Sequence, residues 1–198
     1  DQFEFLGRET GLKAYSGPTK HNERAHYGNA LLSRLPVLEI RPIDLSLPHR
    51  EPRGAIDADI QVGDKVVRVI VAHLGLDPWE RNAQITRVLN TMERGPERPT
   101  VFMGDLNEWR PGRRSALRSL EPFFGPMNEG PASFPTRMPV LSLDRILGWP
   151  NGLVHSVEAH DTPLSRVASD HLPLKALLRL DLLDGAAEDA TPRLAGVG

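Results

Sequence analysis

The chain has 198 residues, a length that suits one domain, and its 39% hydrophobic and 25% charged residues are ordinary for a globular protein. A formal net charge of −2 excludes a global positive field for nucleic acid or anionic membranes, and the absence of cysteine excludes disulfides, thiolate catalysis and cysteine-ligated zinc. No apolar run approaches the roughly 18–20 residues of a membrane span. The lack of cysteine fits a reducing compartment, and we expect a cytoplasmic location.

The first third of the chain predicts one helix followed by strands. "QFEFLGRET" (2–10) predicts a short helix ended by Gly11, the polar stretch 16–27 predicts a loop, and 28–33 and 37–45 predict strands. In "GAIDADIQV" (54–62) apolar residues alternate with Asp57, Asp59 and Gln61, which predicts one buried side and one side in water. Gly63-Asp64 then predicts a turn into the more buried strand "KVVRVIVAH" (65–73).

The remaining sequence predicts two helices and four strands. "DPWERNAQITRVLNTMER" (77–94) begins with Asp77 as N-cap, Pro78 in the first turn and Glu80 in a capping box. "PTVFMG" (99–104) predicts a strand, 112–124 a shorter helix, and the Pro-rich stretch 122–142 a long loop. Further strands are predicted at 143–149, 152–159 and 172–180, and 184–198 is predicted to be a flexible tail beyond a single domain at 1–183. This order favours a mixed α/β layered sandwich over a doubly wound sheet.

Polar side chains occur at the ends of four predicted strands, and together they suggest chemistry. They are His73, then Asp105 with Asn107, then Asp144, then Ser169, Asp170 and His171. In an extended segment, Asp105 and Asn107 would point to the same side. Carboxylates suit a hard cation such as Mg²⁺, and imidazoles suit proton transfer. With no "GxSxG" serine motif, the set predicts metal-assisted hydrolysis, with phosphorus as the favoured centre.

Each of these residues also has a structural interpretation. A lone histidine at a strand end is more often structural, and a lone aspartate before a strand usually caps a turn. The basic cluster Arg110, Arg113, Arg114 and Arg118 could bind a polyanionic substrate, but a solvated helix face is the commoner use of such a cluster. The occurrence of such polar residues at four strand ends together favours a functional site.

Five segments, in order, resemble the endonuclease/exonuclease/phosphatase family of Mg²⁺-dependent phosphoesterases. They are "GNALLSR", "AHLGL", "GDLN", "LDRI" and "SDHLPL", within residues 25–180. The resemblance implies a four-layer α/β sandwich with two mixed, mostly antiparallel β-sheets packed face to face and flanked by helices. It also implies a site at one edge, where the strand ends meet.

The resemblance implies a role for each matching residue. Asp105 would orient or deprotonate the attacking water, and Asn107 would hold that water or a phosphoryl oxygen. His171 would be the general base or the partner of the transition-state phosphate, with Asp144 fixing its tautomer. His73 would hydrogen-bond a phosphate oxygen.

The remaining implied roles concern the metal and the substrate. Asp170 and Asp105 would be the metal ligands, for Mg²⁺ or Mn²⁺. Residues expected to bind the phosphate or line the pocket are Asn29, Arg53, Trp109 and Phe134.

The sequence departs from the family pattern at its start. Family members begin with two further strands, the second ending in a Gln-Glu pair whose Glu is the principal metal ligand, and residues 1–15 contain no such pair. We therefore expect the two strands to be missing, which would weaken metal binding. Glu23, Glu108 and Glu129 are poorly placed in the sequence to replace that ligand. The loss would also expose a sheet edge and favour a homodimer.

Three functions remain open from the sequence. The leading hypothesis is a metal-dependent phosphodiesterase or nuclease-type hydrolase acting on a phosphate ester of nucleic acid, phospholipid or a small molecule. The near-neutral charge argues against a non-specific nuclease. The first alternative is a phosphomonoesterase or a phospholipid or inositol-phosphate hydrolase. The second is a catalytically impaired binding domain, because the metal-ligand Glu is absent.

Overall fold

The computed structural model describes residues 2–21, 26–110, 112–127 and 130–183. Within these ranges the helices are α1 (Gln2–Thr10), α2 (Pro78–Arg94), α3 (Glu121–Phe124) and α4 (Ser165–Ala168), with 3-10 turns at Gly112–Arg114, Ala116–Leu120 and Leu180–Leu183. The strands are β1 (Lys13–His21), β2 (His26–Ser33), β3 (Val37–Asp44), β4 (Gly54–Val62), β5 (Lys65–His73), β6 (Thr100–Asp105), β7 (Asp144–Trp149), β8 (Val154–Ala159) and β9 (Leu174–Leu178). The predicted tail 184–198 lies outside the described residues.

A five-stranded sheet forms the centre of the fold, in the order β3-β4-β5-β6-β7. Strands β5 and β6 are parallel and are connected through α2, whereas the other neighbours are antiparallel. A parallel pair needs such a crossover because its two strands start at the same edge. The sheet is therefore mixed and mostly antiparallel, as predicted.

Alternate residues of the central strands point into two separate cores. On one side, Ile70, Ala72 and Phe102 pack with Ile85 and Leu89 of α2. On the other side, Ile56, Val69 and Val101 pack with Leu31 of β2 and Leu153, next to β8. Strand pairs β1-β2 and β8-β9 form the second β layer, and α1 contacts β1. The chain is thus a four-layer α/β sandwich, whose second β layer consists of two strand pairs in the described part of the chain.

The start of α2 confirms the predicted capping box. Glu80 Oε2 accepts a hydrogen bond from the backbone N–H of Asp77 at 3.0 Å, and Pro78 occupies the first turn. The proline lacks an N–H that would have no partner there, so it suits this position. Ile85, Val88, Leu89 and Met92 are buried, as the helical spacing predicts. No helix within the described ranges is both long and apolar enough to cross a membrane.

The predicted water-facing side of β4 is wrong. Asp57 and Asp59 are 0% and 3% exposed, because arginines cover them. Arg68 on β5 forms two hydrogen bonds with Asp57, at 2.8 and 2.7 Å, and Arg41 on β3 contacts both aspartates. Arg68 also donates to the carbonyls of Thr91 and Met92 in the last turn of α2. This buried ion network joins three strands to the helix.

Two other element predictions are also wrong. The polar stretch 16–27 was expected to be a loop, but Lys13–His21 and His26–Ser33 pair as antiparallel strands. Residues 112–124 were expected to be one short helix, but two 3-10 segments and one turn of α-helix occupy this stretch. Ser115 caps the second 3-10 segment by accepting from the N–H of Leu117.

Candidate active site

Three neighbouring strands of the central sheet bring charged residues into one row. The parallel pairing of β5 with β6 sets His73 opposite Asp105, and the antiparallel pairing of β6 with β7 sets Asp105 opposite Asp144. Residues directly opposite on adjacent strands point to the same side of a sheet. The register therefore places one imidazole and two carboxylates side by side at the edge of the sandwich.

Gly104 allows β6 to approach β5 closely just before this row. Its φ is 138°, a conformation that side chains with a Cβ rarely adopt. A Cβ at this position would lie 1.9 Å from the carbonyl oxygen of Ala72, which is backbone and cannot move aside without breaking the strand pairing. The glycine in "GDLN" is therefore required by the geometry that positions Asp105.

We expect Gly104→Ala to lower the free energy of unfolding by about 3 kcal/mol or more, because strain and a backbone clash add. Gly63→Ala is the matched control: Gly63 also has a positive φ of 63°, but nothing lies within 4 Å of its Cβ position. That control should lose about 1–2 kcal/mol. Urea unfolding of both variants measures the difference, and equal losses would contradict the close approach.

His171 joins the row from the loop before β9. Its Nδ1 lies 2.8 Å from Asp144 Oδ2, and the Ser133 hydroxyl donates to the same oxygen at 2.5 Å. The hydrogen bond to the carboxylate keeps a proton on Nδ1, so Nε2 is the nitrogen available for chemistry. The Phe134 ring packs against the imidazole with 4.8 Å between ring centroids. His171 is thus held in one orientation by a carboxylate and a ring.

Asp105 lies between the two imidazoles. Its Oδ2 is 3.5 Å from His73 Nε2 and 3.9 Å from His171 Nε2, and its Oδ1 accepts the backbone N–H of Asn107 at 2.9 Å. The side chains of Asp105, Asp144 and His171 keep 19%, 21% and 24% of their surface exposed. A substrate can therefore reach all three.

Asn107 reaches the site by a different geometry from the extended one predicted. Strand β6 ends at Asp105, and Asn107 has a φ of 50°. Its Nδ2 donates to the carbonyl of Leu74 at 2.9 Å, and the residue is 5% exposed. The amide therefore ties the turn after β6 to the turn after β5, with its Oδ1 free of hydrogen bonds to the described residues.

The pKa values of the two histidines shift in opposite directions. Burial and the positive charge of Arg53 lower the pKa of His73, although Asp105 and Glu51 oppose the shift. Burial alone would lower the pKa of His171, but the hydrogen bond and charge of Asp144, with the charges of Asp105 and Asp170, raise it. At a given pH, His73 is therefore protonated to a smaller extent, and His171 to a larger extent, than a histidine at its ordinary pKa.

The predicted phosphate-binding residues have different surroundings. Arg53 lies close enough to His73 to affect its pKa; its Nη2 pairs with Glu51 at 2.9 Å, while its Nε is buried without a hydrogen-bond partner in the described residues. Asn29 on β2 donates from Nδ2 to the carbonyl of Gly54 at 2.7 Å. Arg53 therefore has a free donor, whereas the Asn29 amide nitrogen holds β2 against the start of β4.

The donors suit a divalent cation around Asp105. Ligand atoms of Asp105, Asp144 and His171 all lie within 4.8 Å of one another. Asp144 and His171 already bind each other, so the less committed donor is the Asp105 carboxylate, a hard oxygen ligand. The carboxylate of Asp170 is exposed and contacts Ser169 at 3.5 Å, outside this group of three. A metal role for Asp170 stays a prediction.

Glu108 has no free carboxylate for a metal, as the sequence suggested. It is 2% exposed and pairs with Arg81, whose Nη2 lies 3.2 Å from Oε1. The Arg81 guanidinium also lies 5.0 Å from the centre of the Trp109 ring. Glu23 and Glu129 lie outside the described residues. Glu108 therefore supports the wall of the site that contains Trp109.

Sequence reasoning missed two residues that shape the site. Ser133 hydrogen-bonds Asp144, and Arg81 fixes Glu108 and Trp109. Ser133 precedes Phe134 in the segment "ASFP", in which only the aromatic residue is predicted to line the pocket. Arg81 is on the buried face of α2, and its sequence signal is a charged residue directly after the capping box.

The sandwich, with this row at its edge, defines a protein of the DNase I-like fold class. A model of the endonuclease/exonuclease/phosphatase family matches residues 3–171, and the chain belongs to this family. Members of the family are phosphoesterase hydrolases, and the family generally depends on a divalent metal. The chain is 33% identical over 185 residues to the uncharacterized protein YbhP of Escherichia coli K12, covering 90% of this chain and 73% of that protein.

Solved structures share the fold at lower identity. A functionally unknown conserved protein from Enterococcus faecalis V583 superposes with a TM-score of 0.74 at 20% identity, over 90% of this chain and 81% of that chain. A mannosyl-6-phosphatase from Bacteroides thetaiotaomicron superposes with a TM-score of 0.68 at 16% identity, over the same shares of the two chains. These likenesses support the four-layer architecture.

Proposed function

We propose that the chain hydrolyses phosphate esters with the help of Mg²⁺ or Mn²⁺, and that phosphodiesters are its preferred substrates. The observation that supports this most is the row of His73, Asp105 and Asp144, joined by His171. It combines a carboxylate available for water or metal with two imidazoles that can face phosphoryl oxygens.

Each residue of the row has a defined task in this proposal. Asp105 orients the attacking water and accepts its proton as the water oxygen bonds to phosphorus. The phosphorus–oxygen bond to the leaving group breaks, and the released alkoxide takes a proton from solvent. His171, held through Nδ1 by Asp144, donates from Nε2–H in its protonated form to a phosphoryl oxygen on which negative charge develops. His73 donates a hydrogen bond to a phosphoryl oxygen. The Asn107 Oδ1 accepts a hydrogen bond from the attacking water. A divalent cation held by Asp105, with Asp170 as a further carboxylate, would supply a Lewis acid.

Phosphomonoesters are a second candidate because of Arg53. Its buried Nε lacks a partner in the described residues, and its charge acts on His73. An unpaired donor beside the site suits the additional negative charge of a phosphomonoester. The same experiment separates the two substrate classes.

Hydrolysis of bis(p-nitrophenyl) phosphate and of p-nitrophenyl phosphate tests the proposal directly. Each would be measured with Mg²⁺, with Mn²⁺ and with EDTA. We expect turnover that needs a metal and disappears with EDTA, with the diester as the faster substrate. Faster turnover of the monoester would reverse the preference. No metal-dependent turnover of either compound would overturn catalysis and leave a binding domain.

Asp144→Asn is expected to reduce kcat less than His171→Ala. The asparagine still contacts the imidazole but no longer fixes its tautomer, so we expect a loss of about 10- to 100-fold. Removing the imidazole should lower kcat by about a thousandfold or more. Steady-state kinetics of both variants, with Ser156→Ala on the exposed part of β8 as control, tests this order. A larger loss for Asp144→Asn would contradict a positioning role.

A further inference from the structure

A cleft of about 650 Å³ is formed by residues that follow Asn107 in the chain, and it takes no part in the proposed chemistry. It is lined by Trp109, Arg110, Arg113 and Arg114. Trp109 follows Asn107 by two residues, so their Cα atoms are at most about 7–8 Å apart. Asn107 is also bonded to Leu74, and Arg81, which covers Trp109, donates to the carbonyls of Gly75 and Leu76. The turn after β5 thus connects the row to the cleft.

Among the described residues, the three arginines of the cleft have no counter-ion. Their guanidinium groups make no ion pair or hydrogen bond with the part of the chain that the structure describes. Arg118 differs, because its Nε lies 3.8 Å from Glu121. Three cations in one cleft, without a counter-ion among the described residues, form a local positive field in a chain whose net charge is −2. Such a field favours an anion, and guanidinium groups match phosphate oxygens in pairs.

The buried Glu108 holds the backbone of the cleft wall in place. Glu108 accepts the backbone N–H of Arg110 at 2.9 Å and that of Ala116 at 2.7 Å, in addition to pairing with Arg81. Arg81 is 0% exposed, so one buried ion pair holds both ends of the arginine segment. The Arg81 guanidinium lies over the Trp109 ring, and Trp109 is 48% exposed. Preorganisation of this kind lowers the entropy lost on binding.

We propose that this cleft binds a second anionic group of the substrate, while the first phosphate lies at Asp105 and His171. The substrate class is then a compact phosphate ester with a second phosphate or comparable anion, joined by a short apolar linker that lies against Trp109. This inference rests on the proposed function for the position of the first phosphate. It adds a specificity determinant formed by Arg110, Arg113 and Arg114.

Binding of non-hydrolysable probes tests the inference without turnover. Calorimetry with propane-, butane- and hexane-α,ω-bisphosphonates would be compared with alkyl phosphonates of the same chain length, on the whole chain with Mg²⁺ present. We expect the best bisphosphonate to bind about tenfold more tightly than its monophosphonate. In Arg113→Gln/Arg114→Gln this ratio should fall towards one, with monophosphonate binding unchanged. Arg118→Gln, outside the cleft, should keep the ratio.

Three outcomes would overturn the inference, and a fourth would overturn the proposed catalysis alone. Equal affinities for the two probe classes in the unmodified chain, or no binding of either, would remove the second subsite. Loss of monophosphonate binding in the double variant would assign the arginines to the first phosphate instead. A short oligothymidylate would be measured as a further probe. If only this probe lost affinity in the double variant, the substrate would be nucleic acid and not a compact phosphate ester. A bisphosphonate preference without metal-dependent turnover would preserve the anion site while the proposed catalysis fails.

Discussion

Asp105→Ala should abolish hydrolysis of the chromogenic phosphodiester, with a loss in kcat/KM of at least about a thousandfold, or about 4 kcal/mol of transition-state stabilisation. The carboxylate is the group closest to both imidazoles, with Oδ2 at 3.5 Å from His73 Nε2 and 3.9 Å from His171 Nε2. It is also the donor least committed to another residue, so it is the proposed ligand of the metal. One change therefore removes the water-orienting oxygen and the metal ligand together.

Asp105→Asn separates the charge from the structural hydrogen bond. Asp105 Oδ1 accepts the N–H of Asn107, and an asparagine oxygen can still do so. We expect the same loss of activity, with an unfolding midpoint close to that of the unmodified chain. Asp64→Ala, in the turn between β4 and β5 with a side chain 88% exposed, is the control for aspartate removal elsewhere. Turnover within tenfold of normal in both Asp105 variants would contradict this assignment.

The residues of the row were predictable because strand ends are visible in sequence. A buried strand is a run of apolar residues, and His73 and Asp105 mark where two such runs stop. Asp144 begins the next one. The register that aligns all three was not predictable, since it depends on how far each strand slides along its neighbour. The resemblance supplied the expectation that these ends meet, and the strand pairing shows them meeting.

The wrong predictions for β4 and for Asn107 both come from patterns of polar residues. An alternation of aspartate with apolar residues has the same appearance whether water or arginine covers the polar side, so Asp57 and Asp59 were placed in water. Their partners Arg41 and Arg68 come from the strands on either side. The prediction for Asn107 also failed because the sequence pattern does not determine the local structure. The i, i+2 argument assumes extended backbone, but the chain turns at a φ of 50°.

Asp57→Asn should destabilise the fold at neutral pH by about 3–5 kcal/mol, because it leaves a buried arginine without its counter-charge. Arg68 is 3% exposed, and both of its hydrogen bonds to Asp57 are 2.8 Å or shorter. The same guanidinium caps carbonyls at the end of α2, so its displacement would also loosen the helix. Asp181→Asn is the control, since Asp181 also pairs with an arginine but is 62% exposed.

Acid should reduce the difference between Asp57→Asn and the unmodified chain. Burial alone would raise the pKa of Asp57, but the hydrogen bonds and charges of Arg68 and Arg41 outweigh it, so its pKa is below the ordinary 3.8. A carboxyl whose folded-state pKa is lowered stabilises the fold above its unfolded-state pKa, and this stabilisation disappears as pH falls through the folded-state value. Urea unfolding at pH 7 and at successive steps below pH 3.8 should therefore show the two chains converging. A constant gap would mean that lost packing, rather than charge, explains the destabilisation.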